Sequence, residues 1–309
     1  MNTSDFSIVV TSHNQSQFIR EAVDSALGQR LAAKEVIVVD DASKDGSPAL
    51  LEQYGDKIIL LKLAENRGAC AARNAGAAIA SGAYLVFLDG DDVMLPWAVE
   101  VYTRLLLSSQ PKVILGSLFF FSGTASEHIP PNPRAIEFCE YNRLIEKDRS
   151  YRASASSLIV CRAAFHEVGG WTEQIFPMED LDLIVKLSDA GHTVQILSPP
   201  TTCYRMHAGN TVRQFRACMD MLRRLIRRET RREYPTRSEP QSWRYAFIGG
   251  PAWFWVKKGF KAGAYADTLA LAWTSWPMIL AGGIRNLQIR MHGKRPTQSI
   301  ELSSEAPGA

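Results

Sequence analysis

Three observations on this 309-residue chain predict an α/β fold, a mostly parallel sheet flanked by helices with a helical C-terminal appendage. Short apolar runs alternate with helix-like segments over the first 110 residues. Acidic residues close two of those runs. The chain then turns basic and rich in tryptophan from about Thr211 onward. Apolar runs too short for buried helices, separated by helical spacing, are the signature of parallel strands covered on both faces.

The elements follow in order. Phe6–Val10 is a β-branched run, and Phe18, Ile19, Ala22, Val23, Ala26 and Leu27 then recur at helical spacing. Val36–Val39, Ile58–Leu61 and Tyr84–Leu88 are further strand candidates, with helix-like segments near 47–54 and 68–80 between them. Val113–Phe121 reads as one strand and Leu158–Cys161 as another. Ala163–Val168 reads as a short helix stopped by Gly169-Gly170. A helix is expected from Glu179 to Ala190, then closing strands at Thr193–Leu197 and Thr202–Met206. Phe215, Met219, Leu222 and Ile226 mark an amphipathic helix studded with arginines. Pro235–Pro240 reads as a linker, and Pro296–Ala309 as a disordered tail.

Charge supports the same division into 1–212, 213–295 and 296–309. Residues 1–212 carry 18 Lys and Arg against 25 Asp and Glu, whereas residues 213–295 carry 17 against 5. A basic appendage fits an anionic membrane surface, a nucleic acid or an acidic partner. The 46% hydrophobic content allows a sizeable core. Five scattered cysteines, with no Cys-x-x-Cys pair, indicate neither a disulfide framework nor a zinc site and point to a reducing cytoplasm. MNTSDFSIVV lacks the basic start and apolar stretch of a signal peptide.

Ligands of open α/β sheets bind beyond the carboxyl ends of the strands, which is where the acidic residues fall. Phe87-Leu88-Asp89-Gly90-Asp91-Asp92 places three carboxylates in four residues. They repel unless a hard cation such as Mg²⁺ or Mn²⁺ compensates, and such a cation also holds a diphosphate. An acidic surface turn is the plain alternative. Asp41, at the end of the second run, has the position to accept hydrogen bonds from a base or ribose, while Asp45 and Ser47 read as helix caps. Met178-Glu179-Asp180-Leu181-Asp182 is a third acidic group, in which Asp182 reads as stabilising a helix N-terminus.

SIVVTSHNQSQFI, VVDDASKDGS, ENRGACAARNAG, FLDGDD, VGGWTE and MEDLDL occur in the order seen in family 2 glycosyltransferases. Over about residues 6–210 the chain resembles that family, whose fold is the Rossmann-like GT-A fold. The resemblance implies inverting transfer of a sugar from a nucleotide diphosphate sugar, commonly a UDP-sugar, to a hydroxyl acceptor with a divalent metal, Mn²⁺ or Mg²⁺. By position it implies that Thr11 and Asp41 contact the base, and that Asn66 and Arg73 line the nucleotide pocket. An Arg–Asp structural pair accounts for Arg73 equally well. Asp91 would meet ribose or metal and Asp92 would be the main metal ligand, supported by Asp89. Asp180 would be the catalytic base. Tyr204-Arg205-Met206-His207 resembles the late segment in which the histidine joins the metal or diphosphate, and Arg205 would meet phosphate or pair with an acid. His13 stands where many relatives carry Tyr. Donor choice would depend on Ala153–Ser157.

The appendage lies outside this resemblance. Either its helices pack on the catalytic part with arginines in water, or it attaches to the cytoplasmic membrane face. In the second case the basic residues meet anionic lipid, and Trp253, Phe254, Trp255, Trp273 and Trp276 sit at the interface. The longest uncharged stretch, Thr268–Ile284, falls short of the ~20 apolar residues a spanning helix needs. Membrane attachment would suit a lipid-linked acceptor in surface polysaccharide or glycolipid assembly. Other readings are a nucleotidyltransferase, a nucleic-acid-binding protein using the Arg-rich helix, and an inactive GT-A binding module. The first lacks a basic glycine-rich loop after the first strand, and the second leaves Asp89–Asp92 and Asp180 without a purpose.

Overall fold

The computed structural model describes residues 5–124, 129–148, 151, 154–210, 214–234 and 241–302. The expected linker at Pro235–Pro240 and Ala153 of the donor-side segment lie outside the described residues. The predicted alternation is present as β1 (Phe6–Ser12), α1 (Ile19–Leu27), β2 (Glu35–Asp40), α2 (Ser47–Glu52), β3 (Ile59–Lys62), α3 (Ala69–Ile79) and β4 (Tyr84–Asp89). These strands lie parallel in the order β4-β1-β2-β3. Burial of β1 along its whole length explains its unbroken apolar and small-residue run. Helix α3 sits directly on the sheet because residue 76 is glycine: a Cβ there would come 2.4 Å from the Val9 side chain.

The next stretch departs from expectation. After β5 (Val93–Met94) and α4 (Ala98–Ser109), the single strand expected over 113–121 is two strands, β6 (Val113–Leu115) and β7 (Leu118–Phe121), in different sheets. The break falls at Gly116-Ser117, where the Ser117 carbonyl takes the Thr201 N–H at 2.9 Å. A Cβ on Gly116 would come 2.9 Å from Thr201 Oγ1, so the crossing needs a glycine. Strand β8 (Ala135–Tyr141) was not anticipated. It is followed by β9 (Leu158–Cys161), α5 (Arg162–Glu167), α6 (Glu179–Lys186), β10 (Thr193–Ser198) and β11 (Thr202–Arg205). Helix α6 ends four residues before the expected Ala190, because Ser188 and Ala190 bond back to carbonyls only three residues earlier, a tighter turn.

The helical region consists of α7 (Phe215–Thr230), α8 (Gln241–Lys261) and α9 (Tyr265–His292), and β12 (Gln298–Glu301) closes the described chain. The main sheet runs β12-β8-β10-β6-β9-β4-β1-β2-β3, and β5-β11-β7 form a smaller one. The main sheet is therefore mixed: β9 is antiparallel to both β4 and β6, and β8 to both β10 and β12. The expected disordered tail from Pro296 needs correcting over Gln298–Glu301, because β12 pairs with β8 and Ile300 packs on the core; residues 303–309 lie outside the described residues. Backbone hydrogen bonding to an open sheet edge orders a segment with little apolar surface of its own.

The helices share a core with the α/β part. Ile175, Met178, Leu181 and Val185 cluster with Met219, Leu222 and Ile226 of α7 and with Trp255 and Leu271 beyond. Asp182 is fully buried, salt-bridged to Arg228 Nη1 at 2.8 Å and hydrogen-bonded by Tyr234 and, at 2.6 Å, by Thr172. It stands in the first turn of α6, as the sequence reading has it, and in addition cross-links α6 to α7. Arg223 pairs with Asp267 and Arg224 donates to the Gln174 carbonyl, so these α7 arginines are occupied by protein contacts. Helices α8 and α9, joined by three residues, form a hairpin whose close approach depends on glycine. A Cβ on Gly249 would come 1.9 Å from the Met278 carbonyl, and one on Gly259 2.1 Å from Thr268 Oγ1.

Candidate active site

The site lies past the carboxyl ends of β1, β2 and β4. Register places Thr11 beside Val39 on one side and Asp89 on the other, so base-side and acidic residues meet at one sheet edge. The Thr11 carbonyl accepts the Gly90 N–H at 2.9 Å, which draws the acidic turn against β1. Residue 90 must be glycine for this: a Cβ would fall 2.2 Å from Gln15 Oε1 and 2.7 Å from the Thr11 carbonyl.

Asp89, Asp91 and Asp92 each bring a carboxylate oxygen within 4.8 Å of the others. Asp92 is 1% exposed. Its Oδ1 accepts the Arg205 N–H at 3.0 Å; its buried Oδ2 has no close hydrogen-bond partner among the described residues, and the Ser156 hydroxyl beside the carboxyl offsets part of its burial. Burial, with Asp91 and Asp89 beside it, pushes the Asp92 carboxyl well above the usual carboxylate range, and burial raises Asp91 as well. An all-oxygen cluster with one orphaned, buried acceptor fits a hard divalent cation. His207 Nε2 lies 2.8 Å from Asp91 Oδ2. Because Gly209 donates to His207 Nδ1, at 3.2 Å, the hydrogen-bond pattern puts the imidazole proton on Nε2, facing Asp91.

Arg205 and Arg73 brace this cluster. Arg205, 3% exposed, donates from Nε to the Asp91 carbonyl at 2.8 Å, pairs with Glu21, and lies between the rings of Phe18 and Phe121. Of the two roles open to it, pairing with an acid is the one present. Arg73 is buried rather than lining an open pocket. It bonds Asp89 Oδ1 at 2.6 Å and Glu179 Oε1 at 3.1 Å, and its guanidinium sits over Trp171. It therefore bridges the Asp cluster to the first residue of α6. Replacing Arg73 with Met leaves Glu179 buried without its cation, so a loss of about 3 kcal/mol in unfolding free energy is expected. Urea denaturation checks this, and an unchanged midpoint would rule out a structural role for the bridge.

Asp180 follows Glu179 on α6 and is partly exposed, with Oδ1 accepting the Leu181 N–H at 2.6 Å. Burial, and then the neighbouring Glu179 charge, push its carboxyl up to about 7. Such a carboxylate is suited to take a proton near neutrality.

The residues read as base contacts form a second group. Both Asp41 carboxylate oxygens accept backbone N–H groups, from Arg67 at 2.8 Å and Gly68 at 2.7 Å, just before α3. The side-chain amides of Asn66 and Asn14 each approach His13 Nε2 at 2.9 Å, and His13 Nδ1 lies 2.6 Å from the Asp41 carbonyl. Protonated on Nδ1, the ring donates to the Asp41 carbonyl, and the two amides share the single Nε2 lone pair. Beside this group a cleft of about 380 Å³, lined by Gln15, Phe18, Asp45 and Gly209 among others, meets the Asp cluster through His207.

Several contributors were not read from the sequence. Ser156 Oγ accepts the Asp89 N–H at 3.1 Å, and Glu21 and Phe18 hold Arg205. Their partners are far away in the chain, and only the helical spacing of Phe18 and the place of Ser156 within the donor-side segment 153–157 were visible.

Residues 7–169 match the family model described as glycosyl transferase family 2. The succinoglycan biosynthesis protein ExoO of Rhizobium meliloti is 42% identical over 93 residues, covering 30% of this chain and 27% of ExoO. The chain thus aligns with well under half of that relative. The S. aureus TarS fragment 1–349 superposes with a TM-score of 0.65 at 17% identity, over 93% of this chain and 92% of that one. The Pyrobaculum calidifontis mannosyltransferase PcManGT, solved with GDP-Man and Mn²⁺, superposes at 0.59 with 17% identity, over 93% and 88%. At such identities the structures speak for the fold. Together with a family match over more than half its length, they establish that the chain belongs to glycosyl transferase family 2 and has the GT-A fold.

Proposed function

We propose that the chain is an inverting glycosyltransferase that moves a hexose from a nucleotide diphosphate sugar, a UDP-sugar by preference, to a hydroxyl acceptor. The observation that carries this reading is the orphaned, buried Oδ2 of Asp92 within a three-carboxylate cluster, with Asp180 across the Arg73 bridge. Asp91 and Asp92 would hold a divalent cation, Mn²⁺ or Mg²⁺, with His207 joining them through Nε2 once its proton moves to Nδ1 at the expense of the Gly209 contact, and when bound the cation supplies positive charge against the departing diphosphate. Thr11, Asp41 and Asn66 bound the base end, while Asp89 and Asp91 face the ribose and diphosphate. Arg73 positions Asp89 and Glu179 rather than touching the donor. Asp180 takes the proton of the acceptor hydroxyl as that oxygen attacks the anomeric carbon opposite the diphosphate. The transition state has oxocarbenium character and needs no covalent intermediate.

TarS has been solved with UDP-GlcNAc and PcManGT with GDP-Man, which supports a nucleotide-sugar donor. The succinoglycan role in the name of ExoO supports surface polysaccharide assembly. In this reading residues 1–212 carry the transfer, and residues 213–295 hold the enzyme at the cytoplasmic membrane face beside a lipid-linked acceptor. The test is a panel of UDP-, GDP- and other nucleotide sugars with Mn²⁺ or Mg²⁺, scored for binding and hydrolysis. Metal-dependent turnover of one donor is expected, and no binding of any donor with either metal would overturn the proposal.

A further inference from the structure

The hairpin of α8 and α9 carries an outer face that no other described residues cover. On α9 the residues Thr268, Leu271, Ser275, Met278 and Gly282 are buried. Between them Leu269, Trp273, Trp276, Leu280, Leu287 and Met291 are exposed at steps of three, four and seven residues, one stripe along the helix. At 1.5 Å per residue the stripe is roughly 33 Å long. Trp273 is 80% exposed and Trp276 58%, far beyond what an isolated surface tryptophan needs explained. The apolar face continues around the turn: Phe260 of α8 touches Tyr265 at 6.3 Å between ring centroids, and Trp253 and Phe254 are exposed about two turns before it.

Charge decides what would cover this face. Of the six cations from Gln241 to His292, Arg244 is buried on Glu229 and Arg285 is held at the Lys147 carbonyl, which leaves Lys257, Lys258, Lys261 and Arg290 against a single acid, Asp267. That acid is bound to Arg216 and Arg223. Lys257 and Lys261 lie exposed on the same side of α8 as Trp253 and Phe260. A second copy of the chain set stripe against stripe would bring like charges together with no acid to answer them. Anionic headgroups neutralise the same lysines while the acyl boundary takes the tryptophans and leucines. No described helix is long and apolar enough to cross a membrane, so a bilayer would meet this face along its surface.

We propose that the α8–α9 hairpin is a docking surface for an anionic lipid bilayer, with the α9 stripe in the headgroup plane and Lys257 and Lys261 on the lipid phosphates. This deepens the membrane-attached reading above and rests on it for its purpose. Binding is measured without donor or acceptor, so failure here leaves the transfer reaction standing. The full chain is sedimented with phosphatidylcholine vesicles, with and without phosphatidylglycerol, while tryptophan emission is recorded. Wild type is expected to bind the anionic vesicles with a blue shift and to be released by salt. Trp273→Glu with Trp276→Glu should weaken binding at least about tenfold, and Lys257→Glu with Lys261→Glu should abolish the preference for anionic lipid. Circular dichroism checks that each variant stays folded. Absence of wild-type binding would overturn the proposal, as would variants that bind like wild type. A lipid-free dimer dissolved by the tryptophan pair would also overturn it, because the stripe would then be an interface between copies.

Discussion

Asp180→Asn is expected to lower the rate of sugar transfer by about three orders of magnitude while leaving donor affinity unchanged. The amide keeps an oxygen for the Leu181 N–H, now held by Asp180 Oδ1 at 2.6 Å, so α6 should retain its start. What it loses is the capacity to take a proton. The same argument gives a pH dependence. A carboxyl raised to about 7 is protonated, and useless as a base, below that pH. Transfer should therefore fall about tenfold per pH unit on the acid side and level off above the step. A cation at Asp89–Asp92 would offset the Asp89 charge that helps to raise Asp180, so the step with bound metal lies at or below about 7. Single-turnover rates across pH, with donor affinity by calorimetry, check both statements. Equal rates for the two proteins would remove Asp180 from the chemistry.

The second large effect belongs to Asp92. Asp92→Ala should abolish metal-dependent donor binding, a loss of at least about a hundredfold in affinity. Alanine also strips the Arg205 N–H of its acceptor, so Asp92→Asn is the companion that keeps an oxygen there and removes only the ligand charge. Both should lose the rise in melting temperature that Mn²⁺ brings to wild type. If Asp92→Asn still shows that rise, the cation sits elsewhere. Without metal, Asp92→Asn should be no less stable than wild type, because a buried carboxylate crowded by two others is itself unfavourable.

The half of the fold that carries the site was legible because its signals are local. Central parallel strands are covered on both faces and so read as unbroken apolar runs, and the carboxylates of 89–92 are neighbours in the chain. The site's supports were not legible. Arg205 meets Glu21 from 184 residues away and Asp182 meets Arg228 from 46, and no spacing rule announces such pairs. Arg73 fits two roles from the same motif, and its ion pairs to Asp89 and Glu179 speak for the structural one. Strand β8 had a partial signal, with Ile136 and Phe138 facing inward and Glu137 outward, but it lay in a stretch without helices to frame it. The break between β6 and β7 left no mark in an apolar run, since the reason for Gly116 is Thr201, far along the chain. Strand β12 owes its order to a neighbour's free edge rather than to its own composition.

The Asp182 cross-link bears on where this polypeptide tolerates being cut. A version ending at residue 210 would strip Arg228 and Tyr234 from a carboxylate two positions from the proposed proton acceptor, fully buried in the whole chain, and leave it Thr172 and Lys186. It would also lay bare Ile175, Leu181 and Val185. The globule that performs the chemistry is thus wider than the stretch bearing its signature, and the helices behind it serve as its back wall.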